Sequence, residues 1–235
     1  MDLSIILPTY NEKENINVLI KNILAILKNV ENKEIIVVDD NSPDGTYSHC
    51  KKEFEKNNQV KLILRDNRDK GKALWDGVKI SKGKNIIIMD ADLSHDPKLI
   101  PQLFSLNRNY DMVNGSRYCE GGATEIGMEN KLHYYCSFSY NLLLKFILST
   151  RIKDNTGGYF CIKKSALDLL PFEKIFYGYG EYFFRLLYFA KMKKKSIIEI
   201  PTIYNQRSYG KSKSNFFILL FKYFFAAIKL RFITY

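Results

Sequence analysis

Two aspartates, Asp90 and Asp92, stand one residue apart directly after the apolar run Ile86–Met89. At a strand end, side chains at i and i+2 lie on the same side. Two ionised carboxylates held that close, away from bulk water, repel each other unless a cation lies between them. Hard oxygen donors suit Mg²⁺ or Mn²⁺, ions that keep coordination positions for phosphate oxygens. The pair therefore predicts a divalent metal gripping a diphosphate. A D-x-D triplet alone is a weak signal, and its weight here comes from the buried strand expected before it.

That strand needs a scaffold. The segments "LSIILP", "EIIVVDD", "VKLILRD" and "NIIIMDAD" read as strands, the first of them stopped by Pro8. Ile16, Leu19, Ile20, Ile23, Leu24 and Leu27 mark one face of a helix over residues 13–29. "NSPDGT" is turn chemistry, after which Asp44 or Thr46 starts a second helix, and "KGKALWDGVKISKG" reads as a third, closed by Gly83. Apolar strands without polar alternation, each followed by a helix, imply a parallel sheet covered on both faces. Ligands of such sheets bind beyond the carboxyl ends of the strands. Here those ends are Pro8–Glu12, Asp39–Asp40, Arg65–Asp69 and Asp90–Asp92. Acids that merely cap the next helix explain one or two of these ends less awkwardly than all four.

Beyond residue 115 the pattern loosens. "GSRYCEGGATEIGMENK" reads as a Gly-rich loop, residues 131–149 as an aromatic helix, and "DNTGGYFCIKKSAL" as a turn, a short strand and a helix. "KSIIEIPTIYNQR" is a strand whose proline suits a sheet edge. "SYGKSKSN" reads as a mobile basic loop.

The chain of 235 residues is long enough for a large core, and 46% apolar residues exclude a disordered polymer. Lys and Arg exceed Asp and Glu by 36 to 25, a formal charge of +11 that suits anionic partners. Nucleic acid is not the expected one. No binding module is recognisable, and the Asp90–Asp92 edge would repel a phosphate backbone without a metal. Cys50, Cys119, Cys136 and Cys161 have spacings that suit neither zinc nor a disulfide framework, so free thiols are expected. No secretory signal is visible, and Lys222, Lys229 and Arg231 interrupt the C-terminal apolar stretch below the roughly 20 residues that span a bilayer.

"LPTYNE", "IIVVDDNSPDGT", "IIIMDADLSHDP", "GSRY" and "IPTIYNQRSYGKSK" occur in the order and spacing of one family. With them the sequence resembles the dolichol-phosphate mannose synthases, inverting glycosyltransferases of family 2. The resemblance is dense over residues 3–118 and good over 197–214. It implies an α/β GT-A (Rossmann-like) fold, a mostly parallel sheet flanked by helices, over residues 1–214. A C-terminal amphipathic, membrane-associating helix would follow over 215–235. Mannose would pass from GDP-mannose to dolichyl phosphate with inversion, giving dolichyl β-D-mannosyl phosphate for glycosylation and GPI-anchor precursors. By the same likeness Pro8, Tyr10, Glu12, Val38 and Asp40 line the nucleotide pocket. Asp90 and Asp92 hold Mg²⁺ or Mn²⁺ and the diphosphate, with Ala91 close to the donor. Arg117, Arg207 and Lys213 meet phosphates, and Asp92 and Arg117 carry the catalytic role. The likeness also implies a peripheral place on the cytosolic face of the endoplasmic reticulum membrane, with small membrane-anchoring subunits as partners.

These roles suit the residues. Tyr10 can stack on a purine, Glu12 and Asp40 are acceptors for base or ribose, and arginine forks match phosphate oxygens. The phosphate nucleophile has a second pKa of about 6, so it needs no catalytic base. Two other readings stand beside this one: transfer of glucose from UDP-glucose to a polyprenyl phosphate, and a non-catalytic nucleotide-sugar-binding subunit. Residues 119–190 depart from the family pattern. Ser137 and Asn141 are kept, but Phe138 stands for an arginine, with Lys131 or His133 as substitutes for its charge, and Phe160 stands for another arginine. Arg185 stands where an acid is expected, with Glu181 four residues earlier.

Overall fold

Leu3–Thr9 (β1), Lys33–Asp39 (β2) and Val60–Leu64 (β3) form strands, as do Asn85–Ile88 (β4) and Met112–Ser116 (β5). Ala123–Thr124 (β6), Phe160–Lys163 (β7), Ile197–Pro201 (β8) and Ile203–Tyr204 (β9) are the further strands among the described residues. The helices are Lys13–Ile26 (α1), Thr46–Phe54 (α2), Lys70–Ile80 (α3), Ile100–Leu106 (α4) and Lys131–Leu148 (α5). They continue with Lys164–Leu167 (α6), Phe172–Ile175 (α7), Glu181–Met192 (α8) and Phe216–Arg231 (α9). This computed structural model describes residues 1–125, 131–206 and 216–232, without the side chains of 131–133 and 216–218.

Seven strands form one sheet in the order β3-β2-β1-β4-β7-β5-β8, and β6 pairs with β9 in a second. In the main sheet only β7 runs antiparallel to its neighbours, between β4 and β5. The uninterrupted apolar strands are explained by two cores. Ile5, Leu7, Ile35, Val37 and Ile87 face α1, α2 and α4, where Ile16, Leu19, Ile20, Ile23 and Leu103 meet them. The alternate residues Ile6, Ile36, Val38, Ile86 and Ile88 face the other side, packed under α3 and α8. Each fully buried Ile or Leu contributes about 1.5–3 kcal/mol, so strands greasy on both faces settle in the middle of the molecule.

Two boundaries differ from the sequence reading. Pro8 does not stop β1, because the strand continues to Thr9 with Pro8 opposite Val38. The β4 ladder ends at Ile88, opposite Ile6, so the N–H that Pro8 lacks would have faced no strand. For the same reason Asp90 and Asp92 lie past the strand, in a turn where Leu93 takes a left-handed φ of 64°. The Pro201-containing β8 is an edge strand. All four cysteines are free thiols. Among the described residues no helix is long and apolar enough to cross a membrane. The C-terminal stretch forms α9, which buries Ala227 and Leu230 in the core shared with α5 and α8.

Candidate active site

A cleft of about 300 Å³ opens at the carboxyl ends of β1, β2 and β4. Pro8, Tyr10, Glu12, Asp40, Asp90, Ala91 and Asp92 line it, together with Thr9, Arg68, Asp69, Lys70, Gly178 and Tyr179. The loops that bring these side chains together are tightly wound. Asn11 after β1, Asn41 after β2 and Leu93 after β4 all have positive φ, a conformation that persists only where its surroundings enforce it. Asp39 supplies part of that enforcement. Fully buried, it accepts hydrogen bonds from Thr9 Oγ1 at 2.8 Å, Ser42 N at 2.9 Å and Ser42 Oγ at 2.6 Å. It thereby ties the β1 and β2 loops to each other.

Glu12 and Asp40 are well occupied by the protein. Glu12 accepts from Asn15 Nδ2 at 2.8 Å, while its own N–H donates to Thr46 Oγ1 at 2.9 Å. Asp40 is paired with Arg65 and accepts the Asp69 N–H at 2.9 Å. Arg65 also reaches Asp76 at 2.9 Å, so this cluster fixes the start of α3. The guanidinium of Arg68 lies 4.0 Å over the Tyr10 ring and covers one of its faces. Val38 is placed elsewhere. Its side chain is fully buried in the core under α3, because strand side chains alternate between faces and Val38 falls on the α3 side.

The Asp90–Asp92 turn is pinned from several directions. Asp92 is almost fully buried and accepts from Ser94 N at 3.1 Å and Ser94 Oγ at 2.6 Å. The Asp90 N–H donates to His95 Nδ1 at 2.9 Å. Burial pushes the His95 pKa down, consistent with a neutral ring whose Nδ1 accepts. Its ring stacks on Tyr159 at 4.8 Å and meets Tyr204 edge-on at 4.5 Å. His95 Nε2 and the Tyr204 hydroxyl are buried with no hydrogen-bond partner among the described residues. The Asp90 carboxylate receives Lys70 Nζ at 2.6 Å.

Among the described residues no three Asp, Glu, His or Cys side chains gather for a metal. Two carboxylates facing one cleft are nevertheless a hard-oxygen donor set, matched to an ion that takes its other ligands from phosphate and water. The residues present thus fit Mg²⁺ or Mn²⁺ bound together with a diphosphate, and do not form a closed metal cage.

Arg117 does not line this cleft. It follows β5 and forms a two-pronged pair with Asp154, Nε to Oδ2 and Nη2 to Oδ1 each at 2.8 Å, and also donates to Thr156 Oγ1. Its guanidinium lies 4.7 Å from the Tyr204 ring, which puts it one ring beyond His95. Arg207 and Lys213 lie outside the described residues, as do the side chains of Lys131 and His133.

Sequence reasoning missed Lys70, Gly178 and Tyr179. The last two come from the loop before α8, far along the chain, and only the glycine-flanked "YGYGE" marked it as unusual. Glu181 and Arg185, the two departures noted in α8, hold this loop. Glu181 accepts the Tyr179 and Gly180 N–H groups at 2.9 and 3.0 Å. Arg185 donates to Ile175 O and Tyr177 O and stacks 3.6 Å over the Tyr177 ring.

This sheet order, with helices on both faces and acids at the strand ends, defines a GT-A-type fold. Glucosyl-3-phosphoglycerate synthase from Mycobacterium tuberculosis, solved with Mn²⁺, uridine diphosphate and phosphoglyceric acid, has the same fold. The match has a TM-score of 0.72 at 18% identity and covers 100% of this chain and 80% of that one. Residues 4–170 match glycosyl transferase family 2, and the chain belongs to that family. It is 34% identical over 222 residues to a dolichol-phosphate mannosyltransferase of Pyrococcus furiosus, covering 91% of this chain and 59% of the relative. An undecaprenyl-phosphate mannosyltransferase of Micrococcus luteus is 29% identical, covering 88% of this chain and 85% of the relative. A dolichol-phosphate mannosyltransferase of Saccharomyces cerevisiae is also 29% identical, covering 72% and 63%. The chain thus spans about three fifths of the length of the first and third of these relatives.

Proposed function

We propose that this protein transfers a hexosyl group, mannose from GDP-mannose, to the phosphate of a polyprenol such as dolichol, with inversion. The observation that carries the reading is the cleft itself, where Asp90 and Asp92 face the same space as Arg68 and Lys70 at the sheet's carboxyl edge. The names of the three relatives support the polyprenyl-phosphate acceptor and the mannosyl group.

In this reading the Tyr10 ring, backed on one face by Arg68, offers its other face to the base, and Glu12 accepts a hydrogen bond from the nucleoside. Asp40 acts by holding Arg65 and the first turn of α3 in place. A divalent ion on Asp90 and Asp92 would supply charge for the departing diphosphate, which the leaving group requires and carboxylates alone cannot give. Arg68 and Lys70 add positive charge on the same side. The phosphate acceptor arrives already ionised, so no side chain is assigned as a base. Arg117 is a positioning residue here. It holds Asp154 and Tyr204 behind His95, and His95 holds the backbone of Asp90.

The membrane surface belongs to the same proposal. The outer stripes of α5 and α9 carry Leu142, Phe146, Phe221 and Phe225, with Phe232 just past the end of α9, all exposed, and neither helix contains an acidic residue. Exposed apolar side chains on helices that also carry Lys145, Lys222, Lys229 and Arg231 suit an anionic bilayer interface. Small anchoring subunits and a place on the cytosolic side of the endoplasmic reticulum rest on the family resemblance.

The test is an extraction assay. Purified protein is incubated with radiolabelled GDP-mannose or UDP-glucose, Mg²⁺ or Mn²⁺ and a short dolichyl phosphate, and label entering the organic phase is counted. Mannolipid that disappears with Asp92→Ala or with chelator supports the proposal. Glucolipid alone would replace the donor, and donor binding without lipid product would make the chain a binding subunit.

A further inference from the structure

We infer that Lys70 is an internal counter-ion for Asp90, which makes the divalent metal and the nucleotide diphosphate bind cooperatively rather than independently. The inference rests on the cleft being the metal and diphosphate site proposed above.

Three observations place Lys70 in this role. Its ammonium sits 2.6 Å from Asp90 Oδ1, and both side chains line the cleft together with Asp92. The pair is neither sealed nor freely solvated, with side chains 21% and 26% exposed. The backbone beneath Lys70 is fixed while its stem is not. Asp69 caps α3 by accepting the Lys72 N–H, and the Gly71 N–H donates to Gly178 O at 2.8 Å. A Cβ on Gly71 would overlap the Tyr177 backbone, so the chain there is pressed against the loop that carries Tyr179. What remains adjustable is the four-carbon side chain, whose ammonium also lies 5.5 Å from the Tyr179 ring.

The consequence follows from charge alone. A divalent ion approaching Asp90 meets a monovalent cation already on that carboxylate, so metal by itself binds poorly. A diphosphate by itself meets the Asp92 charge and an ammonium already committed to Asp90, and also binds poorly. When both arrive, the metal takes the carboxylates and the ammonium turns to the phosphate oxygens without leaving the cleft. Each ligand then raises the affinity of the other by the same factor, as linkage demands. When the diphosphate leaves with the metal, Lys70 returns to Asp90, and the empty site is never left with two uncompensated carboxylates.

The experiment is Mn²⁺ binding followed by electron paramagnetic resonance of the free ion, with and without GDP. The proteins are wild type, Lys70→Met, Lys70→Arg and Asp92→Ala, with thermal melts to establish that each is folded. In wild type, GDP should tighten Mn²⁺ binding by about tenfold or more. Lys70→Met should bind Mn²⁺ alone about tenfold more tightly than wild type and lose most of the GDP effect. Lys70→Arg should keep the coupling, and Lys70→Gln serves if the methionine variant does not fold. Lys70→Met that binds Mn²⁺ alone no better than wild type, with the GDP effect intact, overturns the inference and leaves the site assignment standing. A wild-type protein in which GDP induces no Mn²⁺ site that Asp92→Ala removes overturns both.

Discussion

Arg117 and Asp154 meet fork to fork, with two N–H groups of the guanidinium at 2.8 Å from the two carboxylate oxygens, Asp154 fully buried and Arg117 nearly so. The Arg117 backbone N–H adds a third contact to Asp154 Oδ2 at 3.1 Å. Removing either partner leaves a buried charge without compensation, which typically costs about 3–5 kcal/mol. Arg117→Ala should therefore lower stability by about that amount in urea unfolding. A variant with unchanged stability but much weaker donor binding would instead make Arg117 a direct phosphate ligand.

The same pair sets a pH dependence. Burial alone would raise the Asp154 pKa, but Arg117 outweighs it and holds the carboxyl below its ordinary value. Glu34 behaves alike: burial works to raise it, and Lys61, Ser4 and the Lys82 N–H together lower it. A carboxylate with a depressed folded pKa stabilises the protein above its unfolded value of about 4, and that contribution is lost as the pH falls through the folded value. Thermal melts from pH 7 downwards should show stability falling below about pH 4. The advantage of wild type over Asp154→Asn should narrow across the same range, and a gap independent of pH would exclude the pair as its source.

Much of this was legible because it rests on local patterns. Ile5, Ile36 and Ile87 stand in apolar runs too continuous for a half-exposed strand, so a covered parallel sheet followed directly. Once the sheet was parallel, its strand ends had to converge, and Tyr10, Asp40, Asp90 and Asp92 do line one cleft. Val38 lay beyond reach for a simple reason. Which face a residue takes depends on the strand's exact phase, and a chemically plausible neighbour of Asp40 turned out to be core. Tyr179 was hidden by sequence distance, since only tertiary folding lays its loop beside α3. The exchange of an expected acid for Arg185 looked like erosion of the site. In three dimensions Arg185 gives its hydrogen bonds to Ile175 and Tyr177 carbonyls, a role no spacing rule encodes.

That loop makes Arg185 a test of positioning. Arg185→Met keeps much of the side-chain volume and removes the donors to two carbonyls. Losing this charged donor's hold on the loop costs about 1.5–3 kcal/mol in all. We expect a stability loss in that range and a rise of several-fold in the KM for the nucleotide sugar, with kcat changed less. The check is steady-state kinetics beside urea unfolding. Equal falls in kcat and kcat/KM would place Arg185 in the chemistry itself.

Gly71 should be intolerant of any side chain. A Cβ there overlaps the N, Cα and C atoms of Tyr177, which are backbone and cannot rotate away. Gly71→Ala should destabilise the protein by about 3 kcal/mol, the upper end for overpacking, and push α3 away from the Tyr179 loop. Gly45 is the natural comparison at a second glycine: a Cβ added there meets no atom, although its φ of 80° still disfavours alanine. Chemical unfolding of the two variants separates collision from backbone strain, and a Gly71→Ala protein as stable as Gly45→Ala would remove the close approach from the account.

The outer face of α5 and α9 yields a last prediction. Phe146 and Phe225 are 83% and 64% exposed, so their replacement should hardly disturb folding. If this face enters a bilayer interface, each phenyl group contributes up to about 1.5–3 kcal/mol of binding, and nearby lysines and arginines add roughly 1 kcal/mol apiece on anionic lipid. Phe146→Glu with Phe225→Glu should therefore weaken sedimentation with phosphatidylglycerol vesicles by more than about tenfold, with the melting temperature nearly unchanged. Wild type should bind neutral phosphatidylcholine vesicles less tightly than anionic ones, and added salt should narrow that difference. Equal vesicle binding by wild type and the double variant would mean that these rings face another protein surface or water rather than lipid.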